Sequence, residues 1–139
     1  MKSKKHICKF EGHENNVICF LIGQDNKTGF SASIDAILKV WNLENKEIRL
    51  TLKYSYPLSF ISLIDRDKTI VAAGQGFLTF CDLKSKIQSK LKTDYKEFIY
   101  SMQFEKSEEH FILCYKDGNL QIFKTQSLKK VFESKKHSD

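Results

Sequence analysis

His13, Ser33 and Asp35 are the residue types of a nucleophilic triad, and they lie close together in the chain. A hydrolase of that kind needs its serine exposed at a strained turn, with an oxyanion hole of aimed N–H groups. The chain has no Gly-x-Ser-x-Gly sequence. The same side chains suit a structural use, because Trp41 follows six residues after Asp35. An indole N–H must find a partner when its ring is buried. Ser33, His13 and Asp35 are the available partners, so the reading is non-catalytic and no enzyme is expected.

The remaining reactive residues are read the same way. Cysteines stand at positions 8, 19, 81 and 114, without a Cys-x-x-Cys pair or a zinc-like spacing. Cys19 and Cys114 fall in apolar strand patterns, where a thiol packs as a small hydrophobe. His6-x-Cys8 is at most half a metal site. Glu108 and Glu109 sit in a polar stretch and read as solvated charges. Gly74-Gln75-Gly76 lacks the third glycine of a phosphate loop and is followed by a strand pattern, so it reads as a turn. No cofactor and no metal are expected.

The elements that position these residues can be read from Thr28 onward. Thr28 to Ser33 predicts a strand, 34–37 a tight turn, and Leu38 to Leu43 a second strand rich in β-branched and aromatic residues. Together with Gly12-His13 upstream, the stretch SASIDAILKVWNL resembles a WD (WD40) repeat. The resemblance implies a buried hydrogen-bond relay through His13, Ser33, Asp35 and Trp41. Trp41-Asn42 stands where the family has Trp-Asp, and the second of those residues lies outside the relay.

The unit recurs. His13, Tyr54 and Tyr95 are spaced 41 and 41 residues apart, and each is followed at the same offsets by apolar residues. These are Val17, Phe20 and Ile22, then Leu58, Ile61 and Leu63, then Ile99, Met102 and Phe104. The later pairs Leu38/Val40, Leu78/Phe80 and Leu120/Ile122 also match. Four short strands in about 41 residues fit the ~40–45 of a propeller blade. Asp117-Gly118 supplies the positive φ of a tight hairpin. The expected fold is all-β, with three four-stranded antiparallel WD40-type blades forming a partial propeller. Residues 12–52, 53–93 and 94–134 are the blades, and 135–139 a polar tail. Residues 1–11 carry an outermost strand, over 6–10, belonging to a preceding or partner blade. The full relay set is present only in the first blade. The second offers Tyr54, Ala73, Gln75 and Cys81, and the third Tyr95, Tyr115, Asp117 and Phe123.

Composition agrees with a packed domain. The chain has 139 residues, with Phe 11, Tyr 5 and a single Pro. Its uncharged stretches fall far short of the ~20 residues that span a bilayer. No apolar signal core follows the basic amino terminus. An intracellular protein, cytoplasmic or nuclear and without a membrane partner, is expected. The charge of +6 comes from Lys+Arg 23 against Asp+Glu 17, with arginine only at Arg49 and Arg66. Lys84, Lys86, Lys90 and Lys92 flank an outermost strand, where lysine protects a sheet edge from pairing.

Three blades do not close a ring, since propellers have typically 4–8. An open end face would expose roughly 300 Å², from strands of ~17 Å spaced ~4.8 Å apart. Exposed apolar surface of that extent calls for a neighbour. The reading is an interaction scaffold in a multisubunit complex, completed by a protein partner, a second copy of itself or further sequence. A fragment of a longer WD-repeat protein without separate activity is one alternative. A basic RNA-associated subunit of a ribonucleoprotein or ribosome-biogenesis assembly is another. The resemblance places binding where the loops before the innermost strands meet the central turns. Glu14, Asn15, Ile34, Gln75, Tyr115 and Lys116 are the candidate contacts.

Overall fold

A computed structural model of the chain describes residues 12–93 and 97–134. Among these there are twelve strands in three separate antiparallel sheets. The first sheet holds β1 (Val17–Ile22), β2 (Thr28–Ser33), β3 (Ile37–Asn42) and β4 (Glu47–Lys53). The second holds β5 (Leu58–Ile64), β6 (Thr69–Gly74), β7 (Phe77–Asp82) and β8 (Gln88–Lys92). The third holds β9 (Ile99–Phe104), β10 (His110–Tyr115), β11 (Leu120–Lys124) and β12 (Lys130–Ser134). Strand order follows chain order in every sheet. The strand expected over 6–10, the tail 135–139 and Tyr95 lie outside the described residues. None of the described residues forms a helix long and apolar enough to cross a membrane.

Tight turns need positive φ, and the chain supplies it at Gly76 (77°) and Gly118 (91°). In the β2–β3 turn Ala36 takes φ 70° and its amide bonds the Ser33 carbonyl.

Strand alternation gives each sheet two faces, and the packing uses them in a fixed order. Opposed pairs share a face, so Gly29, Ser31, Lys39 and Trp41 define the front of the first sheet and Phe30, Ala32, Leu38 and Val40 its back. That back packs on the front of the second sheet, Ile61, Ile70, Ala72 and Cys81. The back of the second sheet, Val71, Ala73 and Leu78, packs on the front of the third, Ile99, Phe111, Leu113 and Phe123. Within that front Phe111 stacks on Phe123, ring centroids 5.4 Å apart. Each fully buried aliphatic or aromatic side chain contributes roughly 1.5–3 kcal/mol.

Turns at one end of the sheets are clasped across the blades. The Gln24 amide of the first sheet donates to Asp67 Oδ2 of the second at 2.5 Å. The Asp65 amide of the second donates to the Glu108 carboxylate of the third at 3.0 and 3.1 Å. Glu108 is therefore a cross-sheet acceptor and not the merely solvated charge that its polar setting suggested.

Candidate interaction surfaces

Trp41 is almost wholly buried, at 2% exposure, and its indole N–H donates to Ser31 Oγ at 2.8 Å. Ser31 Oγ also meets His13 Nε2 at 2.5 Å. Ser31 Oγ accepts from Trp41 and is within hydrogen-bond distance of His13 Nε2, so one hydroxyl joins the two rings. His13 Nδ1 is buried without a partner, as is Asp35 Oδ1. Burial, chiefly, and the charge of Lys39 hold His13 below its ordinary pKa, while Asp35 opposes them.

This corrects the expected role of Ser33. Ser33 Oγ donates to the Asn16 carbonyl at 3.0 Å and accepts weakly from the Asp35 amide at 3.4 Å. Gly29 lies opposite Trp41 and Lys39 opposite Ser31, so Ser31 is the diagonal neighbour of the indole. Ser33 stands two residues farther along the same face, about 6.6 Å away at ~3.3 Å per residue.

Of the candidate contact residues, Glu14, Asn15, Ile34, Gln75 and Lys116 are exposed. They form two clusters. The Ile34 amide bonds the Asn16 carbonyl, which brings the central turn of the first sheet beside Glu14 and Asn15. Phe98 pairs with Gln75 in an isolated bridge and accepts from the Lys116 amide at 3.2 Å, which joins the second and third sheets. Tyr115 does not belong to that surface. It points inward at the end of β10, is 3% exposed, and its hydroxyl donates to Gln121 Oε1 at 2.6 Å.

No family model matches the sequence, and no curated protein matches it. Solved structures do match in shape. A structure of U3-55K and a crystal structure of the RRP9 WD40 repeats each align with a TM-score of 0.81 at 14% identity. Each alignment covers 94% of this chain and 42% of the solved one, so the chain spans less than half of their length. The fold is that of WD40 propeller blades.

The second and third WD40 blades replace the relay with tyrosine pairs that sequence spacing did not disclose. In the second, Tyr56 and Thr79 hydroxyls meet at 2.6 Å. In the third, Tyr115 meets Gln121, and Thr79 and Gln121 occupy the register position of Lys39. Cys81 is buried and Cys19 and Cys114 half-buried, all three as free thiols. Glu105, Glu109 and His110 bring potential metal ligands within 4.8 Å, but His110 Nδ1 is already bonded to Glu105 Oε1 at 2.8 Å on an exposed turn.

Template-equivalent residues differ sharply in exposure between blades. Leu58 and Ile61 of β5 are 2% and 0% exposed, and Ile99 and Met102 of β9 are 0% and 4%. Their counterparts on β1, Val17 and Phe20, are 51% and 44% exposed. At the other end, Ile112, Cys114, Leu120 and Ile122 repeat back-face positions that are buried in the first two blades apart from Phe80, but are all only partly covered, and neighbouring Phe132 is 52% exposed.

Proposed function

We propose that the chain is a non-catalytic WD-repeat interaction scaffold, a partial propeller whose two end faces receive further blades. The observation that carries this reading is the exposure of Val17 and Phe20 where the same template positions of the next two blades are buried. Both internal contacts set a front face on a back face. On the front of the first blade the exposed apolar positions are Val17 and Phe20 of β1, while Ser31, Lys39 and Trp41 behind them are already covered. On the back of the third blade Ile112, Cys114, Leu120 and Ile122 are only partly covered, so the two ends offer complementary kinds of apolar surface. We take the blades as 12–52, 53–93 and 94–134. If three blades amount to 42% of a WD40-repeat ring, that ring holds about seven, within the usual range. Four more blades, supplied by a partner subunit or by further sequence, would close it. A second copy of the chain would bring only three.

The test is light scattering of the purified chain over a dilution series, beside the variants Phe20→Glu and Phe132→Glu. Open apolar ends predict concentration-dependent association that either substitution suppresses without lowering the melting temperature. A discrete species at twice the 16.2 kDa chain mass would transfer the reading to self-completion. A monodisperse monomer that binds no hydrophobic dye would overturn it.

A further inference from the structure

Both arginines of the chain, Arg49 and Arg66, line one groove between the first and second blades, together with Lys68, Lys84 and Lys86. They are far apart in sequence and come from three segments: β4, the β5–β6 turn and the β7–β8 turn. Their convergence is a product of blade packing. The groove is complete within this chain and does not depend on how the ring is closed.

Three carboxylates share the groove, and all three are bonded to turn groups. Asp25 accepts the Lys27 and Thr28 amides at 2.8 and 3.0 Å and the Thr28 hydroxyl at 2.8 Å. Asp82 accepts the Lys84 and Ser85 amides at 3.0 and 2.7 Å and the Ser85 hydroxyl at 3.0 Å. Asp67 accepts the Gln24 amide. None of the five cations forms an ion pair with a carboxylate among the described residues. Among the described residues, five positive charges against three negative ones make the groove basic.

The cations are also positioned. Arg49 donates through one guanidinium nitrogen to Thr28 Oγ1 at 3.3 Å, which orients the group beside the groove. Arg66 is the middle of three successive left-handed residues, Asp65, Arg66 and Asp67, with φ of 51°, 51° and 64°. That conformation is uncommon for residues other than glycine, and here the cross-blade bonds to Asp67 and Glu108 accompany it. Beneath the charges the lining is apolar, with Phe30 and Val40 buried and Leu50 and Leu83 half-buried.

We propose that this groove binds an extended acidic peptide segment that carries aliphatic side chains. Guanidinium groups engage carboxylates through paired N–H donors, and the leucines beneath accept the intervening aliphatic groups. Single-stranded nucleic acid is served less well, because bases need exposed aromatic faces to stack on and, among the described residues, the one aromatic residue lining the groove, Phe30, is 1% exposed.

The test uses the full chain and fluorescence anisotropy with three labelled probes. They are a dodecapeptide of repeated Glu-Leu-Glu units, its Glu-Ser-Glu counterpart and a uridine dodecanucleotide. The leucine peptide should bind, with affinity falling as salt rises. Arg49→Ala/Arg66→Ala should weaken it about tenfold or more, and Lys92→Ala/Lys129→Ala less than about twofold. The serine peptide should bind at least about fivefold more weakly. If the double variant melts early, Arg66→Ala alone, in an exposed turn, replaces it. Equal affinity for the arginine variant, no preference for leucine, or tighter binding of the uridine probe through the same arginines would each overturn the proposal.

Discussion

Trp41 Nε1 and His13 Nε2 are joined through one atom, the hydroxyl oxygen of Ser31, at 2.8 and 2.5 Å. The chain has a single tryptophan, so its fluorescence reports on this junction directly. Ser31→Ala should cost about 1–3 kcal/mol by removing the hydroxyl that accepts from a buried indole N–H, and should shift the Trp41 emission. Ser33→Ala removes a bond to the Asn16 carbonyl and leaves the indole partnered, so the emission should hold. An emission change in Ser33→Ala and none in Ser31→Ala would reverse the assignment.

Two neighbouring tyrosines should respond oppositely to loss of their hydroxyls. Tyr54 Oη is buried without a partner, and burial pushes its phenol well above the ordinary range. Tyr56 Oη is bonded to Thr79 while its ring stacks on Phe77 with centroids 5.3 Å apart. Tyr54→Phe is expected to be neutral or stabilising, and Tyr56→Phe to cost about 0.5–1.5 kcal/mol, measured by urea denaturation. The opposite ranking would refute the hydrogen-bond assignment.

The relay makes stability depend on pH through His13. Its folded pKa lies below the unfolded value of 6.5, chiefly through burial, with Lys39 reinforcing and Asp35 opposing. Between the two values the unfolded chain binds more protons, so stability rises with pH there. The contribution is fully present above about pH 6.5 and is lost as pH falls through the depressed value. The urea midpoint should therefore drop between about pH 7.5 and about pH 5.5 in the native chain. His13→Asn should show a smaller drop, and an identical one would remove His13 as the titrating group.

Much of the architecture was legible because a blade is a local object. The 41-residue spacing of His13, Tyr54 and Tyr95 and the alternation of Phe30, Ala32, Leu38 and Val40 are facts of neighbouring sequence. What escaped depends on register or on packing between blades. Ser31 and Ser33 lie on the same face, and only the pairing of Gly29 with Trp41 selects Ser31. Tyr115 ends a strand whose alternate residues face the second blade, so a residue beside a turn became core. Arg49 and Arg66 meet only once two blades have docked.

The clasps between turns tie neighbouring blades together at one end of the sheets. Gln24 and Asp65 are amide donors 41 residues apart, and their acceptors Asp67 and Glu108 are again 41 apart. A repeating bond of this kind ties each blade to the next at the exposed end of the sheets. Exposed charge-assisted bonds contribute little to global stability, below about 1 kcal/mol each. Their effect should instead be local and directional, read by amide hydrogen exchange. Asp67→Ala should speed exchange at Gln24 and leave Asp65 protected, whereas Glu108→Ala should speed exchange at Asp65 and leave Gln24 protected. Uniform acceleration in either variant would mean that the turns open only with the whole domain, and the clasps would then not be independent local fastenings.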